Sequence, residues 1–229
     1  MKPIVLMTDS KPYMDERVKI LHLPFIGIRT LPIQTIRSHY DWLIFTSKNA
    51  VDIFFKNYPQ TQYDKIAAIG SKTKEYLEQM GYFVDFVPSA FNQECFIKEM
   101  NNRFDGLSVC LPVSRNARPK MFNALKRSAN VDRIDLYAPV SNKVNILKAA
   151  SMITNGEVNW ITFMSPSSVE AYRCYNWHKD VSIMAIGHVT SHALAEIGIE
   201  HYVSPLETKE SMIESILTIE KEKVTKHEF

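Results

Sequence analysis

The stretch WLIFTSKNAV, residues 42–51, decides how the rest of the chain is organised. An apolar run ends in small polar residues and then passes into an amphipathic segment. A second copy, WITFMSPSSV, occupies residues 160–169, so tryptophan, phenylalanine, serine and valine recur in the same register 118 positions later. One strand–loop–helix pattern therefore occurs twice in this chain.

A further pair of matching segments follows the two copies. Residues 66–88 match residues 183–205 at an offset of 117 positions. When this pair is combined with the match of 42–54 to 160–172, 12 of 36 aligned positions are identical. An offset that changes by one residue between two blocks is hard to assign to chance, so we expect two structurally similar halves.

The composition indicates a globular protein with room for two domains. The chain has 229 residues, of which 45% are hydrophobic and 23% charged, and its formal net charge is +2. A charge this small does not favour nucleic-acid binding. No apolar run approaches the roughly 20 residues of a membrane helix, so we expect a cytoplasmic protein without membrane contact.

Neither the cysteines nor the histidines show metal-binding spacing. Cys95, Cys110 and Cys174 lie far apart, which favours reduced structural residues. His188 and His192 are four residues apart, but no glutamate stands between them, so coincidence is the better interpretation than zinc. We predict no metal site.

Apolar runs and amphipathic segments alternate along the chain, as in a parallel sheet with helical crossovers. In the first half we predict strands 4–7, 18–23, 42–46, 66–69, 83–87, 107–111 and 131–136, a short helix between the first two strands, and helices 48–57, 71–80, 92–102 and 118–128. In the second half we predict helices 145–154, 167–177, 189–197 and 207–221, strands 159–164, 182–186 and 200–203, and a frayed tail from Lys221. Gly81 and Gly198 occupy the positions of helix C-cap glycines.

The second half has too few strands for a sheet like that of the first, and the two N-terminal strands supply the missing pair. We therefore predict an α/β protein with two similar doubly wound, flavodoxin-like parallel-sheet domains joined by a two-stranded β-ladder. The predicted segments are a discontinuous domain of residues 1–25 and 145–229, a domain of residues 34–134, and connecting strands 26–33 and 135–144.

Small polar residues follow the repeated strands, at the edge where doubly wound sheets bind ligands. Helix N-termini at this edge attract carboxylate or phosphate groups. The candidate binding residues are Thr46, Ser47, Gly70, Ser71 and Thr73 in one copy, and Ser165, Ser167, Ser168, Gly187 and Thr190 in the other. For each serine or threonine, plain N-capping is the alternative, and capping and binding are compatible.

Two further residues are candidates with open alternatives. Arg115 follows strand 107–111 and either pairs with carboxylates or lies in a solvated loop. Tyr172 belongs to helix 167–177, where it is a site residue or a packing aromatic. The chain lacks the glycine-rich phosphate loops and the nucleophile elbow, which argues against nucleotide binding and against serine hydrolysis of that type.

These blocks resemble the uroporphyrinogen-III synthase family. The resemblance covers nearly the whole chain, and its order of blocks is more specific than any one of them. It rests on residues 42–54, on 66–88, on Phe-x-Ser-Pro-Ser-x-Val at 163–169, on Ala-Ile-Gly-x-x-Thr-x-x-Ala-Leu at 185–194, and more weakly on 111–125 with Tyr137. The resemblance implies two α/β domains joined by a two-stranded ladder, with the substrate in the cleft between them.

The resemblance also implies a reaction. Members of the family convert hydroxymethylbilane into uroporphyrinogen III in haem biosynthesis, with loss of water and inversion of ring D through a spiro intermediate, and use no cofactor. It thus implies a lyase whose partner is a small polycarboxylate, not nucleic acid or membrane. We expect a monomer, in at most transient contact with the preceding enzyme of the pathway.

Carrying family residues over is limited to matching positions. Thr190 matches a family threonine regarded as important at the cleft, and Ser47, Ser165 and Gly187 match positions near bound substrate. A tyrosine thought to assist departure of the hydroxyl stands six residues beyond the first serine in some members. Here that position is alanine, and the adjacent Tyr172 becomes the catalytic candidate.

Two other functions remain open from the sequence. One is a non-catalytic two-domain ligand-sensing module of the same fold. The other is an enzyme acting on a phosphorylated metabolite, against which the missing phosphate loops count.

Overall fold

The computed structural model describes residues 2–100 and 103–227. Its strands are β1 (Ile4–Met7), β2 (Lys19–His22), β3 (Ile26–Thr30), β4 (His39–Phe45), β5 (Gln62–Ala68), β6 (Ser108–Ser114), β7 (Asn130–Ser141), β8 (Trp160–Phe163), β9 (Ser182–Ala185) and β10 (Tyr202–Val203). Its helices are α1 (Lys48–Asn57), α2 (Ser71–Gln79), α3 (Gln93–Glu99), α4 (Lys120–Leu125), α5 (Lys143–Thr154), α6 (Pro166–Tyr172), α7 (His188–Glu196) and α8 (Lys209–His227).

The chain divides into two compact units, with boundaries after Gly27 and after Pro139. Unit 1 joins the chain before Ile28 to the chain from Val140 onward, and unit 2 is Ile28–Pro139. The first boundary falls within β3 and the second within β7, and these two strands are hydrogen-bonded neighbours.

Unit 1 contains a five-stranded sheet in the order β10-β9-β8-β1-β2, and its strand pairs are parallel. Side chains alternate between its faces, so that Leu6 packs in the layer of α5, α6 and α7. Its neighbour Val5 packs against Met212 of α8 on the other face. This period of two is what a strand covered on both faces requires.

Unit 2 contains a five-stranded sheet in the order β3-β7-β6-β4-β5, in which β4 is parallel to β5 and β6, and β6 to β7. Leu43 packs with the residues of α1 and α2 on one face. Ile44 packs with those of α3 and α4 on the other face. The predicted α/β class with parallel sheets is confirmed.

The sequence repeat is also a repeat of local geometry. Ser47 and Ser165 are the N-caps of α1 and α6, with φ/ψ of −158°/155° and −165°/155°. After α2 and α7, Gly81 and Gly198 have φ of 86° and 72°, the left-handed conformation that lets a helix end without steric cost. The predicted C-terminal glycines are thereby confirmed.

The predicted strand 83–87 is wrong. Only an isolated bridge forms there, between Ala67 and Phe86. The side chain of Asp85 accepts a 2.8 Å hydrogen bond from the amide of Ile66, which takes a donor that a ladder would use. Pro88 lacks an amide hydrogen and so does not extend the pairing.

The predicted helix between β1 and β2 is also wrong, because no helix lies there. Asp9 and Asp15 accept hydrogen bonds from the amides of Lys11 and Arg17. Such local side-chain bonds compete with helical ones, and Pro12 disfavours the helical conformation of the residue before it.

Several helix ends differ from the prediction by a few residues, and α6 and α8 differ most at their C-terminal ends. Helix α6 ends at Tyr172, because Tyr175 and Trp177 turn back to pack against that residue at centroid distances of 5.4 and 5.0 Å. The prediction of a frayed tail from Lys221 is wrong for residues 221–227, because helix α8 continues to His227. The last two positions of predicted helix 92–102 lie outside the described residues.

Candidate functional site

The carboxyl edge of the unit 1 sheet has its topological switch point between β1 and β8. These strands are neighbours, while β2 lies on one side of them and β9 and β10 on the other. Ligands of doubly wound sheets bind where the strand order reverses in this way. Asp9 and Ser165 follow the two strands, so both belong to this edge.

Three predicted serines come together after β8. The Ser165 hydroxyl accepts a 3.4 Å hydrogen bond from the Ser168 amide and lies 3.0 Å from the Ser167 hydroxyl. The buried Ser168 hydroxyl donates a 2.7 Å bond to the Ser165 carbonyl. The capping alternative therefore holds for Ser165, and Ser168 is engaged by its own turn.

Gly187 and Thr190 begin α7 differently. Gly187 is the N-cap and gives no side-chain hydrogen bond to the first-turn amides. A Cβ placed on Gly187 would lie 2.1 Å from Glu207 Oε1, so a carboxylate already fills the space beside this helix start. Thr190, in the first turn, is buried with 2% of its surface exposed.

An ion pair that the sequence analysis missed lies at the end of β1. Lys209 Nζ is 2.5 Å from Asp9 Oδ2, and the two side chains are 16% and 13% exposed. The other oxygen, Asp9 Oδ1, is buried and has no hydrogen-bond partner among residues 2–100 and 103–227. The position of Asp9 just after the first strand was the only signal, and its partner is 200 residues away in sequence.

Tyr172 lies in the core of unit 1. Its ring is 1% exposed and stacks on Phe25 at a centroid distance of 5.4 Å. The hydroxyl donates a 3.3 Å hydrogen bond to the Asn176 carbonyl. Burial, and then the neighbouring Tyr175, raise the pKa of Tyr172 to about 12. These contacts favour the packing alternative over a role in catalysis.

In unit 2 the switch point lies between β4 and β6. Ser47 follows β4, accepts a 3.2 Å hydrogen bond from the Ala50 amide as the N-cap of α1, and lies 3.0 Å from the hydroxyl oxygen of Tyr137. Thr46 is half-buried beside it. Capping therefore holds for Ser47 too, and the tyrosine was not among the predicted site residues.

The end of β5 leads into α2 through Gly70, Ser71 and Thr73. Gly70 is the N-cap of α2 and provides no side-chain hydrogen bond. The same is true of Gly187, the N-cap of α7 in unit 1. The Thr73 amide donates a 3.0 Å bond to the Gly70 carbonyl, and Thr73 is 5% exposed. Ser71 is half-buried in the first turn. The two glycine-capped helices thus keep first-turn amides that no N-cap side chain satisfies.

Arg115 follows β6 and is exposed. Its amide donates a 2.8 Å hydrogen bond to the Tyr137 carbonyl, and its carbonyl accepts a 3.0 Å bond from Arg133 Nη2. Its side chain forms no ion pair within the described part of the chain. The backbone of Arg115 is therefore held in place next to Tyr137, while the guanidinium is exposed to solvent.

The described ranges, 2–100 and 103–227, lack two features. They contain no group of three His, Cys, Asp or Glu residues arranged to hold a metal ion. They also contain no helix with the length and apolar character needed to cross a membrane.

These features define a class of α/β proteins with two parallel-sheet units and polar helix starts at the carboxyl edges of the strands. The family model described as uroporphyrinogen-III synthase HemD matches residues 15–214. Because the match spans most of the chain, the chain belongs to the uroporphyrinogen-III synthase family, which acts in tetrapyrrole biosynthesis.

Two curated relatives agree with this assignment. The "porphyrin biosynthesis protein HemD" of Ruminiclostridium josui is 30% identical over 195 residues, which are 79% of this chain and 38% of that protein. The chain thus matches well under half the length of that relative. A "putative uroporphyrinogen-III synthase" of Methanocaldococcus jannaschii is 26% identical over 79% of this chain and 80% of its own length.

Solved structures share the fold. The uroporphyrinogen-III synthetase of Helicobacter pylori has a TM-score of 0.66 at 19% identity, covering 96% of this chain and 100% of that one. A mutant uroporphyrinogen III synthase of Thermus thermophilus has a TM-score of 0.55 at 17% identity, covering 96% and 99%. At these identities the likeness concerns the fold alone.

Proposed function

We propose that this protein is a uroporphyrinogen-III synthase, a lyase that cyclises hydroxymethylbilane to uroporphyrinogen III with loss of water and inversion of ring D. The observation that carries the proposal is the family match over residues 15–214, in a chain of the same fold. The chemistry of the two sheet edges supports it independently.

The substrate bears eight carboxylates, so its binding site needs many hydrogen-bond donors and no buried uncompensated charge. The starts of α2 and α7 suit this need, because their N-cap residues are glycines without a capping side chain. Amides there favour anions through hydrogen bonding and through the helix dipole. We assign substrate carboxylates to Gly70, Ser71 and Thr73 in unit 2 and to Gly187 and Thr190 in unit 1.

The hydroxyl residues after β4 and β8 extend these edges. Ser47 and Ser165 use one lone pair each for capping, and a serine hydroxyl can also donate to a ligand oxygen. Thr46 and Ser167 lie next to them, and the exposed guanidinium of Arg115 adds a positive charge in unit 2. Ser168 contributes its turn geometry rather than its hydroxyl, which is engaged by the Ser165 carbonyl.

The proposed mechanism relies on positioning. The hydroxyl takes up a proton from solvent and leaves as water, and the electron-rich pyrrole stabilises the azafulvene-like cation that remains. Attack on this cation by the substituted carbon of ring D gives the spiro intermediate, whereas attack by the free carbon of ring D gives the type I isomer. In the spiro intermediate the bond from ring D to its original methylene bridge breaks, that methylene carbon bonds to the free carbon of ring D, and this carbon then loses a proton. Holding the bilane in the conformation for the first path is an entropic and geometric task, for which fixed donors suffice. The proposed enzyme uses no cofactor and acts on a free small molecule in the cytoplasm.

The test is an isomer analysis. The protein is supplied with enzymatically generated hydroxymethylbilane, and the oxidised products are separated into type I and type III porphyrins. We expect type III in excess, and type I alone in a control with heat-unfolded protein. Type I alone from protein whose circular dichroism shows it to be folded would reject the synthase and favour a non-catalytic module of this fold.

A further inference from the structure

The basic residues of this chain are unevenly distributed. Residues 112–130 contain five Lys and Arg residues and no Asp or Glu. The whole chain has 27 Lys and Arg against 25 Asp and Glu, so the rest of it has 22 against 25, a formal charge of −3. The small net charge of +2 therefore conceals a segment whose own formal charge is +5.

The fold spreads these charges along unit 2. Strands β6 and β7 are parallel, so the segment between them crosses from the carboxyl edge of the sheet back to its amino edge. Arg115 and Arg118 lie in the connection after β6, at the carboxyl edge. Lys126 and Arg127 follow α4, a helix of six residues and about 9 Å, where the chain approaches the start of β7. The charges thus extend from the proposed binding edge toward the opposite end of the sheet.

The basic residues of this segment are all on the surface. Helix α4 buries Met121 and Leu125, which pack in the core layer that includes Ile44. The remaining positions of the segment are free to carry charge. The exposed residues that form what we call the basic strip are Arg115, Arg118, Lys120, Lys126 and Arg127.

Acidic side chains of unit 2 neutralise little of the basic strip. Lys120 pairs with Glu94 at 2.7 Å, and the two side chains are 53% and 50% exposed. The other four members form no ion pair within residues 2–100 and 103–227. Hydrogen bonding to Lys120 is the main cause that holds the pKa of Glu94 below its usual range, and the Arg118 charge adds to it. A carboxylate beside the basic strip is therefore favoured in its charged form.

Unpaired surface cations attract a polyanion over distances longer than a hydrogen bond. The Debye length is about 30 Å at 0.01 M ionic strength and about 10 Å at 0.1 M, so at low salt the field extends well beyond the protein surface. Surface potentials of one sign raise the association rate of an oppositely charged ligand by about 10- to 1,000-fold. The bilane, with eight carboxylates, is a ligand of this kind.

The rate of association matters for this substrate. Without a folded enzyme the bilane closes to the type I isomer, so molecules that bind late are lost to the type III product. Arg115 is already assigned to the binding edge. Lys126 and Arg127 lie toward the other end of the sheet, where an attraction that acts at a distance gives them a role that contact with bound substrate does not.

We propose that the basic strip attracts the polycarboxylate bilane electrostatically and raises its rate of association with the carboxyl edge of unit 2. This inference rests on the proposed function and goes beyond it, because it gives Lys126 and Arg127 a role without contact with bound substrate. The expected effect is on association and not on turnover, and salt should remove it.

The test compares two double variants of equal net charge. Lys126→Gln with Arg127→Gln removes two charges of the basic strip. Lys56→Gln with Lys148→Gln removes two exposed lysines of α1 and α5, outside the basic strip, and is the matched control. Each variant has a formal net charge of 0 instead of +2, so the two differ only in where positive charge remains. Circular dichroism and thermal unfolding establish that both are folded.

Association is measured by stopped-flow fluorescence with uroporphyrin III, an octacarboxylate, at ionic strengths of about 0.02 and about 0.5 M. At low salt we expect Lys126→Gln with Arg127→Gln to associate about fivefold more slowly than the wild type, and the control to stay within about 1.5-fold. At high salt, where the Debye length is about 4 Å, the three rates should agree. Equal rates at low salt, equal slowing in both variants, slowing that persists at high salt, or no binding by the wild type overturns the inference.

The isomer ratio separates this inference from the proposed function. With limiting enzyme at low salt, Lys126→Gln with Arg127→Gln should give a smaller share of type III porphyrin than the control, with kcat within about twofold of the wild type. An equal share from both variants overturns the inference and leaves the synthase assignment standing. Slower association of this variant with uroporphyrin, in a protein whose wild type yields type I alone, would support attraction of polycarboxylates and reject the synthase.

Discussion

Lys209 Nζ lies 2.5 Å from Asp9 Oδ2, and this ion pair connects the end of β1 to the first residue of α8. A lysine is unfavourable at a helix N-terminus, so the aspartate compensates the charge. We predict that Lys209→Met lowers the free energy of unfolding by about 2 kcal/mol, because it leaves a largely buried carboxylate unpaired. Urea unfolding measures this.

The control for Lys209→Met is Lys221→Met, which changes an exposed lysine of the same helix and should cost under about 0.5 kcal/mol. The double variant Asp9→Asn with Lys209→Met should lose less stability than the sum of its single changes. A strictly additive double variant would show that the two side chains do not interact.

Thr190→Val tests the start of α7 as a substrate site. Valine keeps the shape of this buried side chain and removes its hydroxyl. On the proposed function we expect kcat/KM for the type III product to fall about tenfold, the effect of losing a hydrogen bond to a charged group. Thr190→Ser should retain most of the activity. Unchanged kinetics in a folded Thr190→Val protein would remove Thr190 from the site.

Glu207→Gln tests whether a resident carboxylate competes with the substrate. The Glu207 carboxylate fills the space beside Gly187 at the start of α7. Removing its charge should lower KM for the bilane about threefold, because repulsion between like charges is relieved. Glu200→Gln, another exposed glutamate of unit 1, is the control and should leave KM unchanged. A rise in KM for Glu207→Gln would show instead that the Glu207 carboxylate favours substrate binding.

Tyr172→Phe separates packing from chemistry. The Tyr172 hydroxyl donates one long hydrogen bond to the Asn176 carbonyl, and its ring stacks on Phe25. We predict that turnover stays within about twofold of the wild type and that stability falls by about 1 kcal/mol or less. Tyr172→Ala should cost about 3–5 kcal/mol, as other large-to-small core changes do. A tenfold loss of turnover in Tyr172→Phe would show that the hydroxyl takes part in the reaction.

Ser108→Ala tests a pH-dependent contact in unit 2. The hydroxyl and amide of Ser108 donate bonds of 2.6 and 2.7 Å to Asp41 Oδ2, and they hold the pKa of Asp41 below its usual range, the hydroxyl having the larger effect. A depressed folded-state pKa stabilises the protein above the unfolded-state value, near 4, and this stability is lost as pH falls through the folded-state pKa. Ser108→Ala should therefore cost about 1 kcal/mol at pH 7, with the difference shrinking toward pH 3. A difference that stays constant with pH would mean that the carboxylate charge is not involved.

Much of the fold was predictable because its signals are local. Helix α1 begins and ends at the predicted residues 48 and 57, since Ser47 caps it and its apolar residues recur on one face. The glycines after α2 and α7 were predictable for the same reason, because a left-handed residue at a helix end favours glycine. The prediction failed where side chains of the predicted element form contacts that compete with its regular structure, as at Asp85 and Tyr172.

The sequence by itself determined the α/β class, the duplicated strand–helix pattern and the small polar residues that begin its helices, because periodicity and capping depend on neighbours a few positions away. Only the tertiary structure decided which of those residues meet other groups. The pairs Ser47–Tyr137 and Asp9–Lys209 join residues 90 and 200 positions apart. Strand order brings these distant segments to the same edge of a sheet, and no local pattern in the chain specifies that order.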